Sequence, residues 1–270
     1  MSASQVQQAA LEVEHLTCRF GDFVAVDDAT FQVSQGEIFG LIGPNGAGKS
    51  TLIKMLTTLL PPSSGTARVA GFDVLREPAE VRRRIGYVPQ LLSADGALTG
   101  YENLLLSPRL YRVPRAERRQ RIAEALEMTG LADSKDKEVS SYSGGMIRRL
   151  EIAQSMVHRP AILFLDEPTV GLDPAARHSL WDHMHMLKTT FGTTMLLTTH
   201  YMEEVEELCG RVAVMHRGRI AEIGSPTVLK AEIGPDATLD DVFDRLAGSE
   251  PEGGSYAAVR QSRKAVRAHG

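Results

Sequence analysis

Residues 37–60 read EIFGLIGPNGAGKSTLIKMLTTLL, a short apolar run, a glycine-rich loop and a helix-forming stretch in direct succession. Within it, residues 43–51 (GPNGAGKST) fit the phosphate-loop pattern G-x-x-x-x-G-K-[ST]. Gly43, Gly46 and Gly48 permit turns that side chains forbid. The loop through Pro44, Asn45 and Ala47 can therefore close its amide N–H groups around a phosphate. A helix starting near Lys49 and Thr51 aims the positive end of its dipole at the same anion. Lys49 is placed to neutralise the β- and γ-phosphates and Ser50 to ligate Mg²⁺. The pattern by itself does not separate ATPases, GTPases and kinases.

Working outward, residues 11–33 alternate in short apolar segments around a turn at Gly21 and Asp22, which predicts β-strands. The helix from Lys49 is expected to run to Leu60 and stop at Pro61 and Pro62. Residues 63–74 resemble a strand pair with a glycine turn, and residues 101–129, dense in Arg, Glu, Leu and Ala, predict a helical insertion. Residues 146–158 and 174–190 read as helices; residues 161–165 and 194–199 read as buried strands. Residues 212–216 and 219–223 suggest a closing hairpin turned at Gly218. Strands alternating with helices predict an α/β fold with a mostly parallel sheet core.

The strand at 161–165 delivers Asp166 and Glu167 at its carboxyl end, where open α/β sheets hold ligands. A strand followed by Asp-Glu is also an ordinary solvated turn. Beside a phosphate loop the functional reading is the better one: Asp166 holds Mg²⁺ and Glu167 polarises an attacking water.

Composition agrees with a single globular unit. The chain has 270 residues, 43% hydrophobic and 24% charged, and a formal net charge of −4, which offers no basic excess for nucleic acid. Cys18 and Cys209 stand far apart and outside any metal-ligand spacing, so a reducing compartment is expected. No apolar run approaches the roughly 20 residues that cross a bilayer. The N-terminus also lacks the basic start and apolar stretch of a signal peptide, so the chain is expected in the cytoplasm. The first residues are expected to fray, and the tail from Gly248, with Arg260, Arg263, Lys264 and Arg267, to be a mobile, solvated extension.

The ordered set GPNGAGKST, Gln90 in GYVPQ, YSGGM at 142–146, LFLDEPTVGLD at 163–173 and His200 resembles the ATP-binding subunit of an ABC transporter, over residues 11–224. The resemblance implies a P-loop NTPase of ABC type. Its mostly parallel core would carry an antiparallel β subdomain and a helical subdomain at about 91–158, the ATPase domain spanning 11–235 and an extension 236–270. It implies that Phe20 stacks on adenine where the family usually has Tyr, although Phe20 alone reads as a core residue. Gln90 would contact Mg²⁺ and the attacking water, where a lone glutamine reads as surface. Ser143, Gly144 and Gly145 match the signature motif, which faces the γ-phosphate held by a second copy. The common LSGGQ is YSGGM here. Met146 lacks the glutamine's polar group, but Ser143 and the glycines carry the phosphate contact, so activity is expected to persist. Asp173 matches the aspartate that communicates across the dimer, and His200 the switch histidine at the γ-phosphate.

The implied protein is an ATPase using ATP and Mg²⁺. It would form a homodimer when ATP-bound, lie on the cytoplasmic face of the membrane and drive a permease on a separate chain. Arg148-Arg149-Leu150, residues 198–220 and residues 238–248 (TLDDVFDRLAG) are similar to the daunorubicin-resistance type of drug exporter. The alternative is an ABC ATPase without a transporter, serving translation or DNA repair. Such chains usually carry two cassettes or long insertions, and this one carries one cassette and no coiled coil. A module that binds nucleotide without turning it over is disfavoured by Glu167 and His200 together.

Overall fold

The computed structural model describes residues 9–247; the expected frayed start and basic tail lie outside the described residues. The elements run β1 (Ala9–Phe20), β2 (Phe23–Ser34), β3 (Ile38–Ile42), α1 (Lys49–Leu56), β4 (Ser64–Val69), β5 (Phe72–Asp73), α2 (Pro78–Arg84) and β6 (Ile85–Val88). They continue with α3 (Gly100–Leu110), α4 (Arg115–Met128), α5 (Gly144–Met156), β7 (Ile162–Asp166), α6 (Pro174–Phe191) and β8 (Thr194–Thr199). The last are α7 (Met202–Leu208), β9 (Arg211–His216), β10 (Arg219–Gly224), α8 (Pro226–Ala231) and α9 (Leu239–Ala247).

A six-stranded sheet has the order β10-β9-β3-β8-β7-β6, parallel throughout except for β10 at one edge. Its central strands are apolar on both faces, as a parallel sheet covered on two sides requires. Phe39, Leu41, Ile162, Phe164, Leu196, Ala213 and Met215 face one core, shared with α1 and the antiparallel sheet β2-β1-β4-β5. Their alternates Ile38, Ile42, Leu163, Leu165, Met195, Leu197, Val212 and Val214 face a second core closed by α6, α7, α8 and α9. The period of two thus assigns each side chain its layer. A third cluster, including Leu104, Ile122, Leu126, Leu150 and Val157, gives α3, α4 and α5 an apolar centre of their own.

Several local expectations are corrected. The first helix ends at Leu56 rather than Leu60: Thr58 takes a left-handed conformation, and the N–H groups of Leu59 and Leu60 turn back to the Lys54 carbonyl. The helical insertion expected over 101–129 is present as two helices, α3 and α4, separated at Arg112, whose φ is +55°, and Pro114, which precedes α4. The helix expected from residue 146 begins at Gly144, because the Ser143 hydroxyl accepts the Met146 N–H at 3.3 Å. α2, β6, α7, α8 and the helical form of residues 239–247 carried no reading from the sequence.

The parallel strands β3, β8 and β7 all end at one edge of the sheet. Ile42 pairs with Thr199, and Asp166 with Thr198, so the phosphate loop, Asp166, Glu167 and His200 leave the sheet side by side. No helix among the described residues is long and apolar enough to cross a membrane.

Candidate active site

The loop between β3 and α1 is shaped by close approach. At Gly48, where φ is +105°, a Cβ would stand 2.4 Å from the Ala25 carbonyl oxygen; at Gly43 it would stand 2.2 Å from that of Met215. Gly48 also precedes α1 without a side-chain cap, so the N–H groups of the first turn remain available to an anion.

Lys49 is buried, and its Nζ donates to the carbonyls of Gly43 at 2.8 Å and Pro44 at 3.2 Å. The same nitrogen lies 3.6 Å from Glu167 Oε1. Burial lowers the Lys49 pKa, and the neighbouring charges of Glu167 and Asp166 oppose that effect in part. Ser50 Oγ donates to Asp166 Oδ1 at 3.2 Å, and the Thr198 hydroxyl reaches the same oxygen at 2.7 Å.

Glu167 holds a left-handed backbone, φ +50°, which is costly for a residue with a Cβ. Thr198 maintains it: the Glu167 N–H donates to the Thr198 carbonyl at 3.1 Å and hydroxyl at 3.0 Å. The turn places Glu167 Oε2 2.7 Å from His200 Nδ1. Burial pushes the Glu167 carboxyl up, but the hydrogen bond and charge of His200, with Lys49 behind them, outweigh burial and hold it below the usual carboxylate range. An ionised carboxylate can only accept, so Nδ1 carries the proton in this contact. Nearby, burial and then the Asp166 charge push the Tyr87 hydroxyl up to about 12.

The fold therefore gathers Lys49, Ser50, Asp166, Glu167 and His200 into one group, linked by hydrogen bonds through Thr198 and by the Lys49–Glu167 ion pair. The remaining predicted residues stand apart from it in their bonding. Phe20 is 51% exposed at the end of β1, which removes the core alternative. Gln90 is exposed, with its backbone carbonyl held by Arg148 Nη2 at 2.7 Å. Ser143 caps α5, and Asp173 caps α6 by accepting the Ala176 N–H at 2.9 Å. Gly144 and Gly145 open α5, and a Cβ on Gly145 would sit 2.8 Å from the Ala176 Cβ, so the two capped ends lie together.

The comparisons with known proteins agree with this arrangement. Residues 26–170 match the ABC transporter family. The daunorubicin/doxorubicin resistance ATP-binding protein DrrA of Streptomyces peucetius is 45% identical over 90% of this chain and 73% of its own length. This chain belongs to the ABC transporter family. The Nod factor export ATP-binding protein I of Paraburkholderia xenovorans (strain LB400) is 43% identical over 85% of this chain and 75% of its own. A solved ATP-binding subunit of an ABC transporter superposes with a TM-score of 0.79 at 31% identity, covering 88% of this chain and all of that one. The P-loop NTPase fold of ABC type, ATP binding and ATPase activity follow from family membership.

Sequence reasoning missed three supporting groups. Thr198 joins Asp166 to Glu167; its only signal was a pair of threonines ending an apolar strand. Glu204, fully buried on α7, accepts from Thr169 at 3.1 Å and Trp181 Nε1 at 3.3 Å, tying the loop after Glu167 to α6. Burial raises the Glu204 carboxyl, with the hydrogen bonds of Thr199, Thr169 and Trp181 opposing it. The third group, Arg148 with Glu151, joins α5 to the segment carrying Gln90.

Proposed function

We propose that the chain is the ATPase subunit of an exporter, binding and hydrolysing ATP at the Lys49–Glu167–His200 group and driving a permease on a separate chain. The observation that carries the chemical reading is Glu167, buried and held between the Lys49 amine and the His200 imidazole at the edge where the phosphate loop opens. The phosphate loop amides and Lys49 would bind the β- and γ-phosphates, exchanging the Gly43 and Pro44 carbonyls for phosphate oxygens. Glu167 then accepts a proton from water as its oxygen attacks the γ-phosphorus, and the bond to the β,γ-bridging oxygen breaks, leaving ADP and phosphate. His200 holds the carboxylate in that orientation and faces the γ-phosphate.

The oxygen donors suit a hard cation. One buried carboxylate, Asp166, within 3.2 Å of the Ser50 hydroxyl matches Mg²⁺, which takes one or two carboxylates and completes its shell with phosphate and water. Ser50, Asp166 and Gln90 would hold it, and it would neutralise charge on the β- and γ-oxygens. Phe20, exposed, would offer its ring to adenine.

In this reading the chain acts as a twofold homodimer in its ATP-bound state, each site completed by Ser143, Gly144 and Gly145 of the other copy, with Asp173 between the sites. The ATPase domain spans 11–235, with the helical subdomain at about 91–158 and an extension over 236–270. The permease would dock on that subdomain, where Leu91 and Leu92 are exposed and Leu106 and Leu110 stand one turn apart on α3. That contact would keep the chain on the cytoplasmic face of the membrane, with no nucleic acid partner. The relatives named above support export of a drug or another hydrophobic compound. The test is to express the chain with its permease in an efflux-deficient bacterium and measure accumulation across a panel of drugs and lipids. At least one compound should be expelled, and Glu167→Gln should abolish that. Hydrolysis by a chain that associates with no membrane protein and expels nothing would favour a non-transport ATPase.

A further inference from the structure

α5 lays three polar side chains, Arg148, Glu151 and Ser155, against the segment that carries Gln90. Their spacing of i, i+3 and i+7 puts them on one helix face. Arg148 Nη1 donates to the Pro89 carbonyl at 2.6 Å and to Glu151 Oε2 at 3.0 Å, while Nη2 donates to the Gln90 carbonyl at 2.7 Å. The Ser93 N–H donates to Glu151 Oε1, and the Ser93 hydroxyl reaches the same oxygen at 3.1 Å. Ser155 Oγ lies 3.2 Å from the Tyr87 carbonyl. Arg148 and Glu151 are each 2% exposed.

A buried ion pair is poor value as a source of stability, since apolar side chains of similar volume often serve as well. It does supply direction. The planar guanidinium fork meets two successive carbonyls and one carboxylate at once, a geometry that a lysine cannot reproduce. Residues 89–93 lie beyond β6 and outside any helix, so these bonds from α5 are what their carbonyls and the Ser93 N–H have in place of a ladder. The segment's backbone is thereby fastened to the helix that Ser143 caps.

We infer that Arg148 and Glu151 are positioning residues that make the Gln90 segment move with the signature helix, so that the reach of Gln90 into the phosphate site depends on where Ser143 sits. The inference rests on the proposed role of Gln90. Any shift of α5 toward a second copy carries residues 89–93 with it, and a loosened segment loses that coordination.

The test uses the full chain with Arg148→Met/Glu151→Leu, which removes both charges together and so leaves no unpaired ion in the core. Expected are a melting temperature near that of the unsubstituted chain, a KM for ATP within about twofold, and kcat lowered about tenfold. Amide exchange at Ser93 should rise while that of α5 stays protected. Combined with Gln90→Ala, the pair should lower kcat no further than Gln90→Ala alone. Arg148→Lys, which keeps Glu151 paired, gives a second reading if the double variant fails to fold: faster Ser93 exchange and a lower kcat at unchanged KM. An unchanged kcat in a folded Arg148 variant, or losses that multiply in full with Gln90→Ala, overturns the inference while leaving the role of Gln90 intact. A wild-type kcat in Gln90→Ala itself removes that role, and the inference with it.

Discussion

Replacing Glu167 with Gln tests the catalytic reading with the least disturbance to the site. The amide keeps an oxygen that can accept the His200 Nδ1–H now made at 2.7 Å, so the side chain should stay in place. What it loses is the ability to take a proton from water, a contribution of roughly 10²–10⁴-fold in kcat, or about 2.7–5.5 kcal/mol of transition-state stabilisation. Binding should move the other way. Lys49 loses a counter-charge at 3.6 Å, whose gross attraction is roughly 4–5 kcal/mol at an effective dielectric near 20, most of it offset by desolvation. Lys49 is then freer for phosphate, and ATP affinity should hold or tighten by up to about tenfold. The assay is phosphate release beside equilibrium ATP binding, with light scattering to detect an ATP-bound dimer. Turnover within threefold of the unsubstituted chain would refute the assignment. The variant also has a pH signature. The Glu167 pKa is depressed in the folded chain, so its stabilising contribution is present above the unfolded value near 4.5 and lost as pH falls through the lower folded value. The stability gap between the two proteins should therefore shrink below that pH, as urea titrations would reveal.

Lys49→Ala should weaken ATP binding at least about tenfold and abolish phosphate release if, as proposed, this one buried side chain serves both phosphates; unchanged affinity and rate would remove Lys49 from the site. Gly48→Ala forces a Cβ to within 2.4 Å of the Ala25 oxygen at a φ of +105°, and should cost about 2–4 kcal/mol by chemical denaturation along with nucleotide binding. A fully stable, ATP-binding Gly48→Ala chain would show that the loop has other shapes open to it. Glu204→Leu strands the Trp181 N–H and the Thr169 hydroxyl in the core and should cost about 2–4 kcal/mol, while Glu204→Gln, which resembles the protonated acid, should cost under about 1.5. Equal losses in the two would show that volume, not hydrogen bonding, sets the requirement at this position.

The parts of the fold legible in the sequence were those whose cause is local. β3, β7 and β8 are apolar on both faces and bounded by polar residues, so a run of five or six letters identifies each. β6 has only four residues, IGYV, directly continuing α2 without a turn residue between them, so nothing in its length or flanks sets it apart. α2 and α7 have seven residues each, too short for a helical period to show. The first helix was placed four residues too long because its stop is Thr58 in a left-handed turn, a conformation that threonine does not advertise; Pro61 was the visible breaker and not the operative one. In the site, Lys49, Ser50, Asp166, Glu167 and His200 lie in or beside contiguous motifs. Thr198, Glu204 and Arg148 do not: their partners lie 32, 35 and 58 residues away, and strand register or helix packing alone brings them together.

The charged groups of the site hold one another, and Thr198 completes the arrangement through the backbone. Lys49 is satisfied by two carbonyls of its own loop and by Glu167, and Glu167 by Lys49 and His200. In the proposed mechanism, a phosphate that draws Lys49 away from Glu167 would leave the carboxylate with the imidazole as its remaining close partner, and one of its oxygens would be free for a water. Thr198 holds the Glu167 backbone in its strained turn through bonds that involve neither Lys49 nor His200. In that reading, binding and the arming of the base would be a single exchange of partners around Lys49. In the proposed reading the glycine loop would supply the phosphate grip, and Glu167, two strands away and held in its turn by Thr198, would convert that grip into chemistry.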